Sequence, residues 1–140
     1  MADFSVSASA VTVGVGATTE VVTAGATVTA GQACYLDLTD AKKAKPCDAS
    51  SLTASVFKGI ALNAATSGQK LVLATKGDVN MGSMFGTGPE VIVVSDNAVG
   101  GLAPSSDITS GWYGTVIGMN TSNTVLTIKP IISGLRVVPG

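Results

Sequence analysis

Few residues in this chain of 140 could support catalysis, because it contains no histidine. Histidine is the commonest general base and metal ligand, so a serine or threonine nucleophile would need a lysine or an N-terminal amine instead. Two carboxylates come together at Asp37 and Asp40, but Lys42, Lys43 and Lys45 lie beside them. We interpret this segment as a solvated hairpin tip rather than a calcium site. We predict no catalytic or metal-binding residues, no cofactor and no enzymatic activity.

The two cysteines, Cys34 and Cys47, are too few for a disulfide framework and lack the spacing of a zinc site. A hairpin centred between Asp40 and Ala41 would place Cys34 opposite Cys47, within reach of a disulfide. Two alternatives remain: thiols that pack side by side, which we favour, or a bridge formed by late oxidation. The N-terminus has no basic residue before an apolar run, as a signal peptide would. We therefore expect reduced thiols in a protein made in the cytoplasm.

The composition excludes several classes of function. Hydrophobic residues make up 46% of the chain, charged residues 12%, and the formal net charge is −1. An average soluble domain carries about 25% charged residues, so this chain has roughly half the usual supply. Eight lysines and arginines cannot build the basic stripe of a nucleic-acid-binding protein. The longest uncharged stretches are interrupted by Ser, Thr and Gly, so we predict no transmembrane helix and neither nucleic acid nor membrane as a partner.

The elements that must position any functional residues are predicted to be strands. Short runs rich in Val and Thr, separated by turn residues, indicate an all-β fold. We predict one domain over residues 1–140, a β-sandwich or jelly-roll-like fold of about 8–10 short strands. Residues 50–55 supply at most one short helical turn. Residues 1–16 form an N-terminal arm or an edge strand, with a bulge or break near Ala10-Val11, where the apolar alternation slips. The stretch 96–111, rich in Gly, Pro and Ser, is predicted to be a long loop.

The last hairpin presents an unusual solvent face. Pairing about a turn at residues 120–123 puts one set of side chains in the core: Tyr113, Ile117, Met119, Leu126 and Ile128. The opposite face then carries Trp112, Gly114, Val116, Gly118, Val125, Thr127 and Lys129. An aromatic anchor with few charges around it is typical of an interface core. The alternative is that another segment of the same chain covers this face. The candidate interface residues are Phe4, Met84, Phe85, Trp112, Val116, Val125, Leu135, Val137 and Val138.

One part of the chain resembles a known family. An Ala-Gly pair at 30–31 opens a hydrophobic strand, and a lysine-rich turn follows at 42–45. Residues 59–62 read Gly-Ile-Ala-Leu, and the Ser-Gly-Gln at 67–69 leads into a hydrophobic strand that ends at Gly77. This pattern, over residues 24–82, is similar to that of the small capsid decoration, or cement, proteins of tailed bacteriophages.

The resemblance implies a structural protein of the virion. Such a protein binds the outer surface of an assembled capsid and cements neighbouring major capsid proteins, which stabilises the shell. Its partners would be the coat lattice and further copies of itself, as a homodimer or homotrimer. No catalytic residues are implied. The alternative is a tail-fibre or carbohydrate-binding β-sandwich module, which would present exposed aromatics such as Trp112 for stacking on sugars.

Overall fold

The runs rich in Val and Thr form the strands of one sheet in the computed structural model, which describes residues 4, 6, 8–82, 85, 89–96 and 99–136. Most of the strands follow an apolar or alternating run and end near Gly, Asn, Asp or Ser, as β and turn propensities predict. The strands are β1 (Thr12–Val13), β2 (Thr18–Thr23), β3 (Ala33–Asp37), β4 (Lys43–Pro46), β5 (Gly59–Ala61), β6 (Lys70–Asn80), β7 (Val91–Val94), β8 (Leu102–Pro104), β9 (Tyr113–Asn120) and β10 (Val125–Arg136).

All ten strands belong to one sheet with the order β4-β3-β5-β6-β10-β9-β7-β8, and β1 and β2 each pair with β6 beside that path. Every strand pair is antiparallel. The all-β prediction is confirmed. Among the described residues, the helical content consists of 3-10 turns at Ala8–Ala10, Thr53–Ser55 and Ser105–Asp107 rather than a single turn.

β6 joins two halves of the sheet. The first half contains β2, β3, β4 and β5, and the second half contains β1, β7, β8, β9 and β10. Its first part pairs with β2 and β5, and its last part pairs with β1 and β10. The strands of the first half curl until its two ends meet. There Ala24, which follows β2, forms a parallel bridge with Ala44 of β4. The N–H of Gly25 donates to the carbonyl of Ala44 at 2.8 Å. The first half is therefore a small, nearly closed barrel.

The curl creates two separate cores. The barrel core fills the interior of the first half with small and branched side chains: Ala24, Val28, Cys34, Ala44, Ala61, Ala65, Leu71 and Leu73. The main core lies on the outer side of the barrel strands and under the second half of the sheet. Its largest members include Phe57, Ile60, Met81, Ile92, Leu102, Trp112, Ile117 and Leu126. Successive residues of a strand point to opposite faces, so β3 contributes Ala33 to the main core and Cys34 to the barrel core.

The predicted register of the β3–β4 hairpin is wrong by one residue. Cys34 lies opposite Pro46, and the pairing runs back to Asp37 opposite Lys43. The turn has an odd number of residues, with Ala41 and Lys42 both at positive φ. A one-residue shift moves a side chain to the other face of the sheet. Cys47 therefore belongs to the main core and Cys34 to the barrel core, and both are free thiols.

Two irregular segments contain short elements of their own. The alternation of the first residues does break near Ala10, because a 3-10 turn at Ala8–Ala10 precedes β1. The predicted loop at 96–111 contains β8 and a 3-10 turn. β8 is buried despite the turn-forming composition of the stretch: one edge pairs with β7, and the carbonyl of Leu102 accepts a hydrogen bond from the N–H of Phe4.

Candidate interaction surface

The predicted interface residues whose side chains the structure describes do not form one exposed face. Trp112 is only 4% exposed and belongs to the main core of its own chain. It lies just before β9, where the N–H of Tyr113 donates to the carbonyl of Ala49 at 2.7 Å. The alternation of β9 therefore does not extend to Trp112. Another segment of the same chain covers it, which was the alternative given above.

A bulge in β9 explains why the prediction that Met119 lies in the core is wrong. Ile92 of β7 lies opposite Gly118, but the next residue, Val93, lies opposite Val116, so Ile117 is an extra residue. The side-chain alternation reverses at such a bulge. Ile117 remains buried as predicted, whereas Met119, predicted to be in the core, is 45% exposed. Leu126 and Ile128 are buried as predicted, and Tyr113 is half-buried.

The other candidate residues have varied positions. Phe85 is buried and meets the half-buried Phe4 edge to face, with 5.3 Å between ring centroids. The N–H of Phe4 donates to the carbonyl of Leu102 at 2.9 Å, so both rings pack within the chain. Val116 and Val125 are half-buried. Leu135 lies in β10. Met84, Val137 and Val138 lie outside the described residues.

An apolar groove instead lies between the β3–β4 hairpin and the segment around the second 3-10 turn. We call it the hairpin groove. Its volume is about 370 Å³, and it is lined by Leu36, Leu38, Leu52, Thr53, Val56, Phe57 and Lys58. Leu38 is 75% exposed, Leu52 48% and Val56 43%. Scattered exposed apolar residues are normal, but a cluster around one groove is typical of an interaction site.

The hairpin that presents Leu38 is held by polar contacts. Asp37 Oδ1 accepts hydrogen bonds from the N–H of Thr39 at 3.0 Å and from its hydroxyl at 2.6 Å. Lys45 Nζ donates to Asp37 Oδ2 at 2.7 Å and lies 3.2 Å from Asp40 Oδ2. The hydrogen bonds from Lys45 and Thr39 lower the pKa of Asp37 to about 2. Asp37 and Asp40 thus form an ion-pair cluster with lysine at the hairpin tip, as the sequence indicated.

The other wall of the groove is fixed by two short turns. Asp48 Oδ1 accepts hydrogen bonds from the N–H of Ser50 at 2.9 Å and from its hydroxyl at 2.7 Å. This is a turn in which an aspartate side chain replaces a backbone acceptor. The hydroxyl of Ser55 donates to the carbonyl of Leu52 at 2.8 Å. The backbone that carries Leu52 is therefore tied to the 3-10 turn at Thr53–Ser55.

A second groove lies at the end of the β9–β10 hairpin. We call it the β9–β10 groove. Its volume is about 350 Å³, and it is lined by Pro89, Met119, Asn120, Thr121, Ser122, Thr127 and Lys129. Asn120 Oδ1 accepts a hydrogen bond from the N–H of Glu90 at 2.6 Å, which joins this hairpin to the segment before β7. The hydroxyl of Ser122 accepts from the N–H of Val125 at 3.2 Å and stabilises the turn.

Comparison with known proteins gives no relative for this chain. No family model, curated protein or solved structure matches it. Over the described residues, no helix is long and apolar enough to cross a membrane. No group of three or more His, Cys, Asp or Glu side chains there could hold a metal ion.

Burial and ion pairing determine the charge of the two thiols and of the hairpin groove. Burial raises the pKa of Cys34 to about 12 and also raises the pKa of Cys47 well above its usual value. Both side chains are therefore neutral thiols at neutral pH, and a thiol is a poor nucleophile compared with a thiolate. Lys58, which lines the hairpin groove, pairs with Glu20 at 2.9 Å, so its charge is compensated. The hairpin groove is consequently an apolar surface with little net charge.

The sequence reasoning missed Leu38, Leu52 and Val56. A signal for Leu38 was present, because it is a large aliphatic residue next to the charged tip of a predicted hairpin. No comparable signal exists for Leu52 and Val56, because their position beside Leu38 depends on how the segment after β4 folds back.

Proposed function

We propose that this protein is a structural cement protein that binds the outer surface of an assembled phage capsid and links neighbouring coat subunits. The observation that carries this proposal is the hairpin groove. Three large aliphatic side chains, Leu38, Leu52 and Val56, stay exposed there on a hairpin and a turn that hydrogen bonds hold in place. The resemblance of residues 24–82 to phage decoration proteins also supports the proposal, because the residues that line the groove lie within that stretch.

Such a protein would act by burying apolar surface on the shell. An interface of about 1,600 Å², somewhat more than half apolar, contributes a gross hydrophobic term of about 20 kcal/mol. Loss of translational and rotational freedom and desolvation of polar groups remove much of this. Attachment at two or three points raises the effective affinity by orders of magnitude without new kinds of contact. Removal of one coat subunit then also requires the contacts to the cement protein to break.

Rigidity suits this role. A groove that is already formed loses little conformational entropy on binding. Both walls of the hairpin groove are fixed by side-chain hydrogen bonds within the chain. The alternative of a carbohydrate-binding module receives less support, because Trp112, its predicted stacking residue, is buried in the main core.

Binding to shells tests the proposal. Shells assembled without this protein, from the coat protein of the virus that encodes it, are mixed with the purified chain and sedimented. Saturable cosedimentation, with a fixed number of copies per coat subunit, is the expected result. A chain that stays in the supernatant at all concentrations, while the same shells remain intact, would contradict the proposal. The mass of the free chain in solution separately tests the expected homodimer or homotrimer.

A further inference from the structure

Two aspartates meet where the segment after β4 contacts the end of β7. The N–H of Ala49 donates to the carbonyl of Ser95 at 3.1 Å. Asp48 and Asp96 flank this hydrogen bond, and both are half-buried. Their carboxyl groups lie within hydrogen-bonding reach of each other. Two charged carboxylates repel at such a separation, whereas a carboxyl and a carboxylate can share one proton in a hydrogen bond.

This contact joins two different parts of the fold. Asp48 begins the segment 48–56, which forms one side of the hairpin groove and which we call the groove wall. Asp48 Oδ1 holds the start of this wall through the N–H and the hydroxyl of Ser50. Asp96 follows β7, in the second half of the sheet. A further backbone link runs from the N–H of Gly100 to the carbonyl of Cys47 at 2.7 Å. The attachment of the groove wall to the second half therefore includes the two carboxyl groups.

The surroundings of the pair leave its charge uncompensated. Over the residues that the structure describes, no ion pair engages Asp48 or Asp96. The groups that act on Asp96 are the carboxyl of Asp48 and the hydroxyl of Ser50. On its other side Asp48 faces Cys47, whose thiol is neutral. Burial and the charge of Asp48 raise the pKa of Asp96, and the hydrogen bond from Ser50 opposes that rise.

We infer that Asp48 and Asp96 form a pH-sensitive latch between the groove wall and the second half of the sheet. When the pair shares one proton, the carboxyl group of Asp96 donates a hydrogen bond to the carboxylate of Asp48 and holds the two segments together. When that proton passes to solvent, two like charges face each other and weaken the attachment of the wall. The latch acts in the free chain, whatever partner the chain binds.

The direction of the pH dependence follows from the raised pKa of Asp96. Because the folded-state pKa lies above the unfolded value of 3.8, the charged pair lowers stability at neutral pH. This loss is recovered as the pH falls through the folded-state value toward 3.8. Asp37 acts in the opposite direction, because its contribution is lost only below pH 3.8. Measurements between pH 7 and pH 4 therefore separate the latch from the ion pair at the hairpin tip.

NMR titration of the side-chain carboxyl carbons tests the shared proton. Asp96 should titrate with a midpoint above 3.8, and Asp48→Asn should move that midpoint down, because the neighbouring charge is removed. Glu90→Gln is the control, since it removes one negative charge before β7, at the opposite end of that strand from Asp96. It should leave the midpoint of Asp96 unchanged. A midpoint at or below 3.8, or one that Asp48→Asn does not move, would overturn the inference.

Hydrogen exchange of the joining amides tests the latch itself. The protection of the Ala49 and Gly100 amides, relative to their intrinsic exchange rates, should increase severalfold in the wild type from pH 7 to pH 4. Asp96→Asn should give the higher protection at both pH values, because its amide N–H donates to Asp48 as a protonated carboxyl does. Wild-type protection that is equal at the two pH values, or a pH dependence that Asp96→Asn retains in full, would contradict the latch. Neither result depends on shells, so failure here leaves the proposed function intact.

Discussion

The carbonyl oxygen of Gly16 occupies the space that a Cβ atom on Gly77 would need. Gly77 has a φ of 81°, a conformation that L side chains rarely adopt. It lies in β6 where the pairing changes from β2 to β10, since Lys76 is opposite Thr18 and Gly77 is opposite Ile128. This close approach of two backbone segments lets one strand serve both halves of the sheet.

Gly77→Ala should therefore destabilise the fold strongly. The positive φ and the clash with Gly16 together should lower the free energy of unfolding by about 3 kcal/mol. Gly68 is the matched control, because it has a φ of 90° but no atom within 4 Å of the added Cβ. Gly68→Ala should lower it by about 1 kcal/mol, from backbone strain alone. Urea unfolding of both variants measures the difference. Equal losses would show that the contact with Gly16 does not constrain β6.

The cysteines should be unreactive in the folded protein. Cys34 and Cys47 lie in different cores, and burial raises the pKa of both thiols. Because the thiolate is the reactive species, a thiol-specific disulfide reagent at pH 8 should modify the native chain at least about 100-fold more slowly than the denatured chain. The denatured chain should release two equivalents, which is the control for bridging. Fast modification of the native protein, or fewer than two equivalents after denaturation, would contradict these positions.

The ion pair at the hairpin tip should make stability depend on pH in a defined window. The pKa of Asp37 is lowered from 3.8 to about 2, chiefly by the hydrogen bond from Lys45. A folded-state pKa below the unfolded value gives stability that is present above pH 3.8 and lost as the pH falls to about 2. Asp37→Asn should thus be less stable than the wild type at pH 7, and the difference should shrink as the pH falls from about 4 through 2.

Urea unfolding across that pH range measures this effect. Asp40→Asn is the control, because Asp40 contacts Lys45 at the longer distance of 3.2 Å and lacks the hydrogen bonds from Thr39. We expect its effect to be smaller. A deficit in Asp37→Asn that persists unchanged to pH 2 would mean that the charge of Asp37 contributes nothing to stability.

The hairpin groove should matter for binding and little for folding. Leu38→Asp replaces a side chain that is 75% exposed, so the free energy of unfolding should change by about 0.5 kcal/mol or less. Binding to shells should fall by more than about tenfold, because a charge would enter an apolar contact. Val15→Asp is the control, since Val15 is 85% exposed and does not line the groove. Equal binding by both variants would remove the hairpin groove from the interface.

Sequence patterns predicted the strands better than their register. The β3–β4 hairpin shows why: Ala41 and Lys42 both adopt positive φ, although neither is the Gly or Asn that usually marks such positions. The turn therefore has a length that the sequence does not indicate, and Pro46 rather than Cys47 lies opposite Cys34. A shift of one residue was enough to place the two cysteines in different cores.

The candidate site was harder to predict, because it depends on contacts between distant segments. Trp112 was an obvious candidate by residue type, but its burial depends on the turn before β9 and on the neighbouring Ala49. The bulge at Ile117 exposes Met119, and nothing in the alternation of β9 signals that extra residue. Likewise Leu38 and Leu52 come together only through the fold of the segment after β4.

The disruption temperature of the shell tests the central claim most directly. Calorimetry would follow heat-induced disruption of shells alone, of shells with saturating wild-type protein, and of shells with Leu38→Asp at the same concentration. We expect the wild type to raise the disruption temperature and Leu38→Asp to leave it close to that of bare shells. A disruption temperature that stays the same with bound wild-type protein would contradict a cementing role.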